Sequence, residues 1–125
     1  MKTKLFIAAM AALVTSFVAA PASADMLDDI IARKTIRVAV PTDYPPFGSV
    51  GSDMQPQGMD IDMARLIAKS LGVEVELIPV TAPNRVAYLQ TGKSDLTISS
   101  LGKTEERAKV IDFSIAYSPF FDAVF

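Results

Sequence analysis

The 125-residue sequence contains no cysteine, no histidine and no tryptophan. Without cysteine no disulfide can tie the chain, so its core has to come from packing, within itself or against further protein. Without cysteine and histidine together a transition-metal site loses its usual ligands, and neither a metal nor another cofactor is expected. The missing histidine also removes the commonest general base and every Ser-His or Cys-His nucleophile. Basic residues are the minority: 12 lysines and arginines face 14 acids. That balance argues against nucleic acid or an anionic membrane as the partner. No internal repeat or low-complexity tract is visible.

What is present begins with "MKTKLFIAAMAALVTSFVAAPASA", residues 1–24. Lys2 and Lys4 form a charged start, 5–20 an apolar run, and Ala22-Ser23-Ala24 a small-residue cleavage pattern, so a secretory signal is expected with cleavage after Ala24. A membrane anchor would need about 20 apolar residues, and this run carries Thr15 and Ser16 and ends at Pro21. The remaining residues, 25–125, carry ten basic against fourteen acidic groups and make one small domain at most. They stop on "SPFFDAVF", an apolar, β-prone stretch with no polar tail. The expectation is that the parent chain continues beyond it.

Periodicity divides 25–125 into alternating elements. "DMLDDIIARK" (25–34) predicts a short helix, with acids early and bases late as the helix dipole prefers. "TIRVAV" (35–40) predicts a first strand, and the proline- and glycine-rich stretch 41–58 a long loop bearing Tyr44 and Phe47. "MDIDMARLIAKSLG" predicts a helix with Met63, Leu66, Ile67, Ser70 and Leu71 on one face and Gly72 as its C′ residue. A second strand follows at 73–80, a short helix in "APNRVAYLQTGK" and a third strand at 95–99. Another short helix starts at Thr104. The order βαβαβ with long crossovers implies an α/β fold with an open, mainly parallel sheet. Ligands of such sheets bind outside the carboxyl ends of the strands, where the 41–58 loop and 99–107 both fall.

Within "SSLGKTEER" Thr104 reads as an N-cap, and Glu105 and Glu106 suit the positive helix end. Arg107 in the first turn does not. A guanidinium beside unpaired N–H groups at a strand-to-helix turn makes a carboxylate receptor; a structural pair with Glu106, Asp112 or another acid is the alternative. Ser99, Ser100 and Gly102 supply donors and close backbone approach, although serines and glycine also simply end strands and make turns. Tyr44 and Phe47 flank two prolines and can wall a cleft or cap the sheet. Arg85 is a second cation at a helix start; from the residues alone, reach to solvent or to Asp95 is the favoured reading. Asp60 and Asp62 are assigned dipole and capping roles, because residues two apart on a helix do not face each other. "GSDMQPQGMD" lacks the oxygen ladder of a calcium loop.

"YPPFG", "GMDIDMARLIAKSLGVEVELIPV", "NRVAYLQTGKSDLTIS", "TEERAKVIDFS" and "AYSPFF", in that order, resemble the amino-terminal part of periplasmic solute-binding proteins that serve polar amino-acid ABC importers. The resemblance implies a periplasmic-binding-protein-like lobe, one of two that clamp a ligand around a hinge. It implies that Arg107 holds the α-carboxylate of an amino acid, polar or acidic, with donors at Ser100 and Gly102. Tyr44 and Phe47 would cover the ligand, Ser99 and Thr104 would support the turn, and Arg85 would meet a side-chain carboxylate. A monomer working with a membrane permease in the periplasm is expected. The second lobe, with the group for the ligand ammonium, and the returning segment that completes the first lobe are missing from the sequence. Half a site with little or no affinity alone is therefore expected. A dehydratase-like enzyme on the same scaffold and the ligand-sensing domain of a membrane receptor are the alternatives.

Overall fold

A computed structural model describes residues 25–119; the expected signal sequence and the last six residues of "SPFFDAVF" lie outside that range. Helix α1, Met26–Arg33, forms as its charges predict: the Asp25 side chain accepts from the Leu27 N–H, and Lys34 closes the helix in the left-handed region at φ 57°. Strand β1, Thr35–Pro41, is covered on both faces, with Val38, Ala39 and Val40 fully buried, which is why "VAV" is apolar without interruption.

The stretch expected as a loop, 41–58, instead contains a small antiparallel sheet, β2 (Asp43–Tyr44), β3 (Gly48–Val50) and β4 (Pro56–Gln57). Strands of two or three residues are too short to show a period. Gly48 is what lets this sheet sit on β1: a Cβ there would lie 2.0 Å from the Pro41 carbonyl oxygen. Helix α2, Met59–Leu71, ends at Gly72 with φ 68° as expected. Its amino end differs from expectation. Gly58 is the N-cap and gives no side-chain hydrogen bond; the first N–H groups instead donate to loop carbonyls, Met59 to Pro46 (3.1 Å) and Asp60 to Phe47 (2.9 Å).

The buried face of α2 is also rotated from the expected one. Ile61, Ala64 and Ala68 are buried, Met63, Ile67 and Leu71 flank them, and Leu66 and Ser70 face solvent. Strand β5, Glu74–Val80, pairs parallel with β1 along all seven residues. Helix α3 spans Arg85–Gln90; strand β6 is only Leu96–Thr97, shorter than the expected 95–99, and pairs parallel with β1. Helix α4 is the single turn Glu105–Ala108. The sheet order is β5-β1-β6, an open parallel sheet. Its core joins Ile36, Val38 and Val40 to Ile61, Ala64, Ala68, Ile98 and Ile30. Each fully buried Val or Ile in it contributes about 1.5–3 kcal/mol of transfer free energy.

Candidate functional site

A cavity of about 210 Å³ opens at the carboxyl ends of the strands. Asp43 and Tyr44 reach it from the segment after β1, Arg85 from the start of α3, and Ser99 and Ser100 from the turn after β6. Among the expected site residues, Tyr44, Arg85, Ser99 and Ser100 are brought together here. Asp43 is a lining residue that sequence reasoning missed.

Arg85 corrects the reading that sent it to solvent or to Asp95. Its Nη1 donates to the Ser99 carbonyl, and its Nε is buried without a partner. Burial lowers its pKa, and the nearby Arg107 guanidinium lowers it further, against the opposing influence of Tyr117, Asp43 and Tyr44. Asp95 is occupied elsewhere. At the opposite end of the sheet its side chain is 2% exposed, and it accepts from the Arg37 backbone N–H (2.7 Å), the Arg37 guanidinium (2.7 Å) and Arg33.

Arg107 sits beside the cavity rather than in its lining. Among the described residues it makes no ion pair, with Glu106, Asp112 or any other acid. Its Nη1 donates to the Gly102 carbonyl at 2.8 Å, and its N–H donates to the Thr104 hydroxyl at 3.2 Å, the N-cap contact expected of Thr104. In a helix of four residues the first turn is also the last, so the charge of Arg107 is less misplaced than a longer helix would make it. Gly102 and Thr104 are exposed and do not line the cavity. Phe47 does not line it either: its ring stacks on Tyr44, with centroids 5.7 Å apart and planes 18° apart, and backs that residue from behind.

Sequence reasoning also missed Asp60 and Tyr117. Asp60 is fully buried, unlike its exposed neighbour Asp62, so the dipole role assigned to both describes only Asp62. The Tyr117 hydroxyl donates to Asp60 Oδ1 at 3.1 Å. Burial raises the pKa of Asp60, with Tyr117 and Ser100 acting in the opposite direction. Burial and the Asp60 charge push the Tyr117 hydroxyl up to about 12. Ser100, which lies against both, holds φ 47°. A left-handed non-glycine residue costs about 1–3 kcal/mol and persists only where its surroundings enforce it. The signal that could have found Tyr117 is weak, since 57 residues separate it from Asp60.

The site therefore combines two mutually repelling guanidiniums, hydroxyls, a stacked aromatic pair and a strained turn at the ligand-binding edge of a parallel sheet. Known proteins share the fold that carries it. The L-cystine-binding protein TcyJ of Escherichia coli (strain K12) is 33% identical over 93 residues, 74% of this chain and 35% of that protein. The crystal structure of an ancestral amino acid-binding protein described as a precursor of cyclohexadienyl dehydratase is 44% identical at a TM-score of 0.73, over 75% of this chain and 41% of that one. The arginine-bound form of domain 1 from the T. maritima arginine-binding protein is 39% identical at a TM-score of 0.70, over 72% of this chain and 71% of that one. The chain spans about a third of the length of the curated relatives it matches. Residues 36–125 match the sequence pattern of one family. With the open parallel sheet in agreement with that match, the chain belongs to the bacterial extracellular solute-binding proteins, family 3.

Proposed function

We propose that 25–125 form the first lobe of a periplasmic amino-acid-binding protein that delivers its ligand to an ABC permease, after export directed by residues 1–24. The observation that carries this reading is the pair Arg85 and Arg107. The Arg107 guanidinium disfavours the charge of Arg85, and Arg85 keeps a buried N–H without a partner. An anion that accepts from both removes the like-charge cost and satisfies the orphan donor. Arg107 holds the α-carboxylate, helped by donors at Ser100 and Gly102. Tyr44, backed by Phe47, covers the ligand, Ser99 fixes Arg85 through its carbonyl, and Thr104 caps the turn that carries Arg107. Asp43, in the same cavity, supplies negative charge for the ligand ammonium, a role the sequence reading reserved for the second lobe.

This arrangement changes the expectation for a lobe on its own. The arginine-bound domain 1 of the T. maritima protein supports measurable binding by one lobe, with the second lobe closing over the ligand by a hinge motion. The test is calorimetric titration of this chain with L-arginine, L-glutamine, L-cystine and L-glutamate. Binding is expected by at least one of them, at least tenfold weaker in Arg107→Ala and partly restored in Arg107→Lys, which keeps the charge and loses the fork. Unchanged affinity in Arg107→Ala overturns the assignment. The 33% identity over 91 residues to the cyclohexadienyl dehydratase of Pseudomonas aeruginosa supports an enzyme as a second reading; turnover of a cyclohexadienyl substrate by the full-length protein would establish it.

A further inference from the structure

Helix α3 packs on β1 and β6, yet none of its six residues is fully buried, so apolar contact alone holds it loosely. Its amino end also lacks the usual fastening. Asn84 stands at the N-cap but makes no capping bond; its Oδ1 accepts from the Thr81 N–H at 2.9 Å and closes the preceding turn instead. Arg85 is the first residue of this helix, so the cavity receives its guanidinium only as precisely as that helix start is placed.

What holds Arg85 comes from the sheet. The Thr97 hydroxyl donates to the Arg85 backbone carbonyl at 3.3 Å, and two residues further on the Ser99 carbonyl accepts from Arg85 Nη1. One short stretch, 97–99, therefore grips the arginine at its backbone and at its head, and the buried, unpartnered Nε lies on the side chain between the two. That stretch is itself fixed: Thr97 pairs with Ala39 of β1, and the Ile98 N–H donates to the Ala39 carbonyl at 2.9 Å. Leu96 and Ile98 join the core with α2, so alternation turns Thr97 to the other face of the sheet, toward α3. A β-branched shape suits a strand whatever its polarity, and valine would supply it equally; only the hydroxyl of Thr97 reaches Arg85. We propose that Thr97 is a positioning residue of the anion site: its hydroxyl ties the backbone of Arg85 to the sheet, so that the guanidinium held by Ser99 stands in the cavity already oriented for an anion. This rests on the ligand-binding reading above for its affinity readout only.

The test uses the full chain with Thr97→Val, which keeps the shape and removes the donor, and Thr97→Ser, which keeps the donor. In Thr97→Val the Nε–H NMR signal of Arg85 is expected to shift and to exchange faster with water. Affinity for the tightest-binding amino acid of the four named above is expected to fall about fourfold, the scale of one long, neutral hydrogen bond. Thr97→Ser is expected to return the signal toward its wild-type position and to recover most of the affinity. A threonine that serves packing alone predicts the opposite order, with valine tolerated and serine, which lacks the methyl, the more disruptive. If Thr97→Val does not fold, Thr97→Ala removes the same donor and is judged on the same signal against Thr97→Ser. An Arg85 signal unmoved by loss of the hydroxyl, or moved as far by Thr97→Ser, overturns the proposal. A wild-type chain that binds none of the four amino acids refutes the ligand reading instead, and the Arg85 signal still decides the positioning role.

Discussion

Asp95, just before β6, and Asp60, at the start of α2, are both aspartates with buried side chains, and the two ends of the sheet treat them in opposite ways. Asp95 is met by three donating groups of Arg33 and Arg37. Burial alone would raise its pKa, but these hydrogen bonds outweigh it and hold the carboxyl below its ordinary range. Asp60 has a single hydroxyl on one oxygen and nothing on the other, and burial carries its pKa upward. The cations differ in the same sense: the bond to Asp95 raises the pKa of Arg37, whereas burial and Arg107 lower that of Arg85. At the amino end the chain itself satisfies the buried charge of Asp95, and among the described residues the buried atom left without a partner there is the neutral Ser94 Oγ. The carboxyl end leaves polar groups unsatisfied, and unsatisfied buried groups are what a ligand can complete.

The largest effect should come from breaking the satisfied end. Asp95→Ala removes the acceptor of a backbone N–H and of two guanidiniums. Because those guanidiniums are 37% and 32% exposed and can turn to water, the loss is set below that of a fully buried pair, at about 2–3 kcal/mol. Urea denaturation measures it. Ligand affinity should stay within twofold, since Asp95 lies at the other end of the sheet; an affinity loss that parallels the stability loss would erase the distinction between the ends.

Removing the charge at the other end should do the reverse. Arg85→Met keeps the bulk of the side chain, relieves the repulsion with Arg107 and removes the orphan N–H, which offsets the loss of the donor to the Ser99 carbonyl. Stability is expected to change little, while affinity falls at least tenfold, about 1.4 kcal/mol. Calorimetry and a thermal melt on the same sample separate the two. A variant that loses stability and keeps affinity would place Arg85 among the structural cations with Arg37.

Much of the framework that positions these groups was readable from local pattern. The β1 and β5 strands and α2 are long enough for their periods to show, and Gly72 marks a helix end by its own chemistry. Arg107 was singled out by a charge at odds with its helix. The remainder depended on contacts distant in sequence. Which arginines reach Asp95 follows from the register of β1 against β6, so Arg85 could not be excluded from it by inspection of the chain. Asp60 looked like any acid near a helix start until Tyr117 and the 99–100 turn were brought over it. The buried face of α2 was misjudged because its small residues, Ala64 and Ala68, allow close packing that a count of large apolar side chains does not reveal.

The smallest expected effect sharpens the contrast most directly, because the two aspartates should give pH dependences of opposite sign. The folded pKa of Asp95 lies below the ordinary 3.8, so its stabilisation is complete above that value and is lost as pH falls through the folded pKa. The folded pKa of Asp60 lies above 3.8, so the stability linked to its protonated form is complete below 3.8 and is lost as pH rises through the folded pKa. Denaturation midpoints of wild type, Asp95→Asn and Asp60→Asn, each measured from pH 3 upward in small steps, separate the two contributions. Asp95→Asn should flatten the acid side of the profile. Asp60→Asn should remove a decline on the side above 3.8 and leave the acid limb in place. If both variants changed the profile on the same side, the opposite treatment of the two carboxylates, and with it the division of the sheet into a satisfied and a receptive end, would not stand.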